Sequence, residues 1–360
     1  MSLARCVNPH LQKLFLKNSS RFQNTFKSIT NEESCQSIID KLDLRSKYPN
    51  SQNLDIVDVF PGYGLLSSMI NMELKPRNHV IMEYSKTHVL EWTEKIEHLK
   101  EVTSNKENFV LCQRDGWSWE AYDQMIKEDK IIDPQIKPRD KIHDELLVIG
   151  NLSPPKFGEP LIAQWIMCCA FGNWLQKYGR VRMICLVPVA TAQKFLAGSG
   201  FFKRNKSSVK RELYTNAKLI AVTEPKDVID SKGIGYDPRL IIRDQPVLIK
   251  RENTIPANAE FAVLELEPKL IDAAVVEDHE HVLQQLFISS SRVVREMLTY
   301  IAVGAEEDLP AVLPDHILDK QVKELSLEDW QTLFKSYDNW PFKPSYIDRL
   351  DILQDDTRVF

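Results

Sequence analysis

The sequence predicts an α/β protein: a doubly wound sheet followed by a smaller C-terminal helical domain. Three observations support this. Short apolar runs alternate with helical apolar patterns between residues 54 and 266, as in a mainly parallel sheet with helices on its faces. The first four strand segments end at or beside Asp58, Glu83, Asp115 and Asn151, which places polar side chains along one edge of such a sheet. The first run also passes through Pro61-Gly62-Tyr63-Gly64 into a helical pattern, a turn that commonly cradles a nucleotide-like ligand. Two glycines alone can also serve backbone geometry, and Phe60 puts a bulky ring where a ligand would need space.

In chain order, Thr30-Asn31-Glu32-Glu33 reads as a capping box opening a helix with Cys35, Ile38, Ile39 and Leu42 on its apolar face. Residues 54–59 form the first strand, and Leu65, Leu66, Met69 and Ile70 carry the helix after the turn. Strands follow at 79–82, 108–112 and 146–149, with a helix over 89–102. A helix at 161–178, a strand at 181–187, a helix at 190–196 and strands at 217–222 and 259–266 complete the sheet. Beyond Pro268 the patterns turn helical, over 282–301, 315–323 and 327–337, the last opened by Ser326, Glu328 and Asp329. The expected divisions are a basic arm or import segment at 1–30, the α/β domain at 31–268, the helical domain at 269–345 and a flexible, mildly acidic tail at 346–360.

Composition narrows the function classes. With 43% hydrophobic and 27% charged residues the chain has globular character. No apolar run reaches the roughly 18 residues of a membrane span. The six cysteines show no C-x-x-C spacing, so neither a zinc site nor a disulfide framework is expected. His279 and His281, two apart on a helix, suggest a surface charge cluster and no metal site. The net charge of −5 hides an asymmetry, because Arg5, Lys13, Lys17, Arg21 and Lys27 precede the first acid, Glu32. That basic, Ser/Asn-rich segment suits either mitochondrial import or contact with nucleic acid.

An acid at the second strand end can accept hydrogen bonds from ribose hydroxyls, and one at the third can accept from an adenine amino group. Singly, each would more simply cap the next helix. Together with the glycine turn they resemble the motifs of class I S-adenosylmethionine-dependent methyltransferases, a Rossmann-like fold, and in particular the ribosomal RNA adenine dimethyltransferase family. The turn stands for that family's first motif, Glu83 for the second, Arg114-Asp115 for the third and Gly150-Asn151-Leu152 for the fourth. Residues 191–197 and 206–211 resemble the segment after strand five. Lys41-Leu42-Asp43-Leu44, Lys218-Leu219-Ile220-Ala221 and Trp340-Pro341-Phe342-Lys343-Pro344 are further similar to the fungal mitochondrial transcription factor B family, specificity factors of the single-subunit mitochondrial RNA polymerase.

The departures from the methyltransferase pattern are informative. Phe60 replaces a glycine that leaves room for the cofactor. The fourth motif reads Asn151-Leu152-Ser153-Pro154, without the aromatic that stacks on a flipped adenine, and no ring follows until Phe157. The resemblance therefore implies no catalytic residue, no required cofactor and a vestigial S-adenosylmethionine site at Asp58, Phe60, Gly62, Gly64, Glu83, Asp115 and Asn151. It implies a monomer in the mitochondrial matrix whose partners are the mitochondrial RNA polymerase and promoter DNA, especially a melted strand, and no membrane. A working RNA adenine dimethyltransferase and an RNA-binding protein of the mitochondrial ribosome are the alternatives.

Strand separation calls for aromatic platforms and cations. Trp117 and Trp119 beside Arg114 supply one set, with Tyr122 a further candidate and sheet-edge packing the plainer role for the indoles. Phe201, Phe202, Lys203, Arg204, Lys206, Lys210 and Arg211 supply another, on an expected mobile loop flanked by Gly198 and Gly200. The tail is expected to reach the polymerase active site or to mask the basic surface. Trp340 and Phe342 offer either a polymerase-facing patch or an anchor for the tail.

Overall fold

The computed structural model describes residues 4–17, 26–225, 235–345 and 348. Arg21 of the basic segment, and the tail apart from Asp348, lie outside the described residues. The chain divides into residues 1–193 with 214–270, and residues 194–213 with 271–360. Residues 194–213, expected within the α/β domain, thus belong to the helical unit.

In the first unit, eight strands form one sheet: β1 Asp55–Val59, β2 Asn78–Met82, β3 Phe109–Cys112, β4 Ile142–Asn151, β5 Arg180–Val187, β6 Thr215–Thr223, β7 Val247–Ile249 and β8 Ala262–Pro268. Their order is β3-β2-β1-β4-β5-β8-β6-β7. Neighbouring strands from β3 to β5 pair in parallel, with Val57 opposite both Val80 and Val148, while β8 runs antiparallel to β5 and β6. All five residues of β1 are buried, as for a central strand covered on both faces. The chain leaves β1 outward to β2 and β3, then returns to β4 on the other side. The carboxyl ends of β1 and β4 therefore flank the crevice where such sheets bind ligands. β7 escaped prediction because three residues carry no usable periodicity.

The main helices of this unit include α1 Glu32–Leu42, α2 Leu65–Leu74, α3 Lys86–Thr103, α4 Pro155–Phe171 and α5 Val189–Phe195, whose last two residues belong to the second unit. The cap of α1 is Asn31, whose side chain accepts from the Ser34 amide at 2.8 Å, and not the expected Thr30 box. α2 starts at Gly64, where φ is +82° and a Cβ would lie 2.3 Å from the Trp92 ring, so no side chain fits. α4 stops at Phe171, short of the expected 178, because Gly172 caps it in the left-handed region.

Residues 4–17 of the basic amino-terminal segment are packed into this unit and do not form an arm outside it. Leu11, Leu14 and Phe15 recur at helical spacing in and beside the short helix Gln12–Lys17, and Cys6, Leu11 and Phe15 join the core cluster of Ile38, Ile39 and Trp92. The Arg5 and Cys6 amides donate to Gln36 Oε1, both at 3.0 Å, and the Tyr63 hydroxyl donates to the Phe15 carbonyl. Further on, Ser28–Ile29 pairs antiparallel with Thr254–Ile255, which lays residues 26–29 across the carboxyl edge of the sheet.

In the second unit the helices include α6 Lys206–Tyr214, α7 Val276–Leu286 and α8 Leu327–Asp338. The helix expected over 282–301 is broken. After α7 the chain makes a 3₁₀ turn, Phe287–Ser289, and restarts only at Val294–Met297. The pattern over 315–323 likewise resolves into Asp315–Leu318 and a 3₁₀ turn at Val322–Glu324. α8 opens with a reciprocal Ser326–Asp329 box and buries Trp330, Phe334 and Tyr337 on one face. His279 stacks on Phe334 at 4.1 Å and bonds Asp338, while His281 meets the Ile301 carbonyl at 2.8 Å; both pack the unit and form no surface charge cluster. Among the described residues no helix is long and apolar enough to cross a membrane, and no group of three metal-ligating side chains occurs.

Candidate functional site

The glycine turn brings Phe60 to the end of β1 with φ +57°, a conformation that favours glycine and costs another residue on the order of 1 kcal/mol. Packing compensates. The buried ring stacks between Phe26 (5.1 Å, 14°) and Trp117 (5.3 Å, 29°), and Tyr84 meets it edge-on at 5.6 Å. Opposite, Gly116 lies so close that an added Cβ would sit 2.5 Å from Val59 and 3.2 Å from Phe60. The cavity at the turn, lined by Ser28, Asp58, Gly64, Ser67 and Asn151 among others, measures about 20 Å³. That volume takes roughly one water, where pockets for cofactors span roughly 300–1,000 Å³.

The polar residues of the old motifs are engaged within the unit. Glu83 is buried; one carboxylate oxygen accepts from the amides of Tyr84 (3.0 Å) and Ser85 (3.1 Å), and the other meets His88 Nδ1 at 3.1 Å. Ribose hydroxyls would have to displace those partners. Asp58 faces His79 Nε2 at 3.1 Å, and its Oδ1 has no hydrogen-bond partner among the described residues although the residue is buried. Asp115 accepts from the Trp117 amide at 3.0 Å, an Asx turn, and does not cap the following helix, whose N-cap is Ser118. Asn151 Nδ2 donates to the Lys27 carbonyl at 2.9 Å, and the Lys27 amide donates to Ser153 Oγ at 2.8 Å. Residues 26–28 thus clamp the fourth motif, and Gly62 lies beneath Ser28 and Phe26. Nothing in the local sequence signals this clamp, because it depends on pairing with residues 254–255.

Of the expected nucleic-acid contacts in the α/β unit, Trp119 opens a short helix, Trp119–Asp123, and is 45% exposed. Trp117 is half-buried between Phe60 and Phe157, the latter at 5.5 Å, so it both packs and presents an edge. Phe157 is 52% exposed, with Lys156 Nζ 5.4 Å from its centroid, and Tyr84 is 50% exposed. Phe26, Phe60, Trp117 and Phe157 therefore form a continuous ladder from core to surface. Tyr122 is buried and donates to the Gly116 carbonyl at 2.8 Å, a structural role. Arg114 is committed to Asp129 (2.8 and 3.0 Å) and Gln124, so its guanidinium is not free for phosphate.

The second set, in the helical unit, divides similarly. Phe202 is 64% exposed, in contact with Phe201 (4.6 Å) and under Lys203 Nζ (5.5 Å). Lys206 begins α6 and is half-buried. Arg204 is buried, donating to the carbonyls of Ala197 (3.0 Å) and Leu325 (3.1 Å) and pairing with Glu212 at 2.7 Å. Arg211 is buried with Nε on the Phe195 carbonyl at 2.9 Å, and Lys210 pairs with Glu280. Those three side chains hold the loop and helix together.

Comparison with known proteins extends this geometry. The family model for ribosomal RNA adenine dimethylase matches residues 17–339. Mitochondrial transcription factor 1 of Lachancea kluyveri is 30% identical over 355 residues, 97% of this chain and 99% of that protein. Mitochondrial transcription factor 1 of Saccharomyces cerevisiae is 28% identical over 337 residues, 93% of this chain and 94% of that protein. Among solved structures, a dimethyladenosine transferase from Plasmodium falciparum aligns with a TM-score of 0.53 at 12% identity, covering 86% of this chain and 97% of that one, a likeness of fold.

Proposed function

Because the chain belongs to the ribosomal RNA adenine dimethylase family, and within it to the mitochondrial transcription factor 1 group, we propose that it is a mitochondrial transcription initiation factor that has given up methyl transfer. It confers promoter specificity on the single-subunit mitochondrial RNA polymerase and helps melt the promoter, acting as a monomer in the matrix without S-adenosylmethionine. The observation that carries this reading is the exchange of a cofactor pocket for an aromatic ladder. Phe60 fills the space, its neighbours Phe26 and Trp117 brace it, and the outer rings Phe157, Trp119 and Tyr84 remain accessible. Unstacked bases of a separated strand gain about 1–3 kcal/mol each on such rings.

Promoter-dependent run-off transcription with the cognate polymerase is the direct test. A Trp119→Ala/Phe157→Ala variant is expected to lose about 10- to 100-fold of run-off on duplex promoters, from the stacking of one or two bases. On templates already melted at the start site the loss should shrink to a few-fold. Equal loss on both templates would point away from strand capture. Absence of stimulation by the wild-type protein would favour a ribosomal RNA-binding role.

Phe60→Gly tests the closed pocket. The change relieves the left-handed backbone but removes a buried ring, so a net loss of about 2–4 kcal/mol in urea unfolding is expected. Methyl incorporation into RNA is expected to stay at background, because Asn151 remains clamped by Lys27 and the fourth motif still lacks its aromatic. An active methyltransferase from this single change would overturn the reading of both motifs.

A further inference from the structure

The helical unit carries a groove that the proposed strand-capture site does not use. It measures about 580 Å³ and is lined by Asp308, Val312, Lys335, Asn339, Trp340 and Phe342 among others. Its floor is built firmly. Trp340 is only 7% exposed, and its Nε1 donates to Asp308 Oδ2 at 2.8 Å. Lys343 fixes the following turn through Asp278 at 2.6 Å. The walls are open: Phe342 is 71% and Val312 62% exposed. Trp340 is therefore the anchor of the 340–344 segment, while Phe342 is held out from it, at 6.5 Å and nearly perpendicular. An exposed ring beside a fixed indole, in a groove of ligand-pocket size, is the form of a docking site.

Charge selects the occupant. The short helix Ala305–Asp308, which supplies Asp308 to the groove, also exposes Glu306 and Glu307, and neither is in an ion pair among the described residues. Lys335 is the lone cation among the groove's lining residues. The chain's own tail carries Asp348, Asp351, Asp355 and Asp356 against Arg349 and Arg358, so it would meet like charge. A second copy would bring the same acidic rim, and nucleic acid would be repelled by it. A protein segment with an apolar side chain flanked by lysines or arginines satisfies both the ring and the acids.

We propose that this groove docks such a basic, apolar-anchored segment of the RNA polymerase, with Phe342 and Val312 as contact walls and Glu306 and Glu307 as charge partners. The inference rests on the functional reading above and adds the surface through which it operates. The test is direct binding of full-length factor to purified cognate polymerase without DNA, at low and high salt. Phe342→Ala and Val312→Asp are each expected to weaken binding about 10-fold or more. Glu306→Lys/Glu307→Lys should weaken it chiefly at low salt and flatten the salt dependence. Melting temperature and single-stranded DNA affinity should stay unchanged, since all four side chains are exposed.

Binding of all these variants within twofold of wild type, with wild type itself binding, would overturn the groove while leaving the functional reading intact. Failure of wild type to bind polymerase at all would overturn both. If deleting residues 346–360 tightened polymerase binding only when Phe342 was present, the groove would belong to the tail. A dimer abolished by Phe342→Ala would assign it to a second copy, and either result would overturn the proposal.

Discussion

A chain lacking residues 1–17 is expected not to fold. The deletion removes Leu11 and Phe15, both buried against α1 and α3, and large-to-small losses at such positions cost about 2–5 kcal/mol each. It also strips polar groups of their partners. Gln36 Oε1 loses two amide donors, Glu73 loses Cys6 Sγ at 2.9 Å, and Glu107 loses Asn8 Nδ2 at 3.1 Å. Groups left unsatisfied in buried surroundings cost about 1–3 kcal/mol apiece. Together these losses are comparable to the roughly 5–15 kcal/mol that holds an ordinary domain together. Circular dichroism and urea titration should show no cooperative transition, whereas Lys13→Ala, at an exposed position, should unfold like wild type. A truncated chain melting within a few degrees of the full one would show that residues 4–17 are an appendage after all.

The same segment shows where sequence reading stops. Counting charges before Glu32 singles out the basic residues, but Leu11, Leu14 and Phe15, at i, i+3 and i+4, decide where the segment packs. The seven expected strands were legible because buried strands read as apolar runs closed by polar residues, and the central β1 is the clearest case. Phe60 was legible because its place in the turn belongs to a glycine, and its positive φ is the conformation such a glycine would take. Arg204, Lys210 and Arg211 misled for the opposite reason. In one dimension they form an acid-free patch, yet their partners are Glu212, Glu280 and the carbonyls of Phe195, Ala197 and Leu325, which only folding brings near. The clamp of residues 26–28 on Asn151 was invisible on the same ground, spanning 124 residues of sequence.

Stability should collapse steeply above about pH 9. All six cysteines are free and buried. Burial, the leading cause in every case, pushes Cys6 and Cys112 up to about 11, Cys168 to about 12, and Cys35, Cys169 and Cys185 further still. In the unfolded chain thiols ionise near roughly 8.5. A group whose folded pKa is raised contributes stability that is complete below its unfolded pKa and is lost as pH rises through the folded value. Six thiols thus give up protons on unfolding in the window from roughly 8.5 to 11, each lowering stability by about 1.4 kcal/mol per pH unit. Four lysines oppose them, because burial lowers Lys27 and Lys203 as well as the two most strongly shifted. Burial lowers Lys95 and Lys210 to about 8, so at pH 9 the folded chain has released protons that the unfolded chain keeps to roughly 10.4. The thiols outnumber the lysines, and Tyr48, Tyr63, Tyr122, Tyr214 and Tyr236, also raised by burial, add to them above about pH 10, so stability falls towards pH 10 and beyond. Urea titrations at intervals from pH 7 to 10.5 measure the slope directly. Replacing Cys168, Cys169 and Cys185 by alanine should lower stability at pH 7 but make the alkaline slope shallower by about 4 kcal/mol per unit, because three of the titrating thiols disappear. An unchanged slope in that variant would mean that the thiols do not govern the alkaline limit.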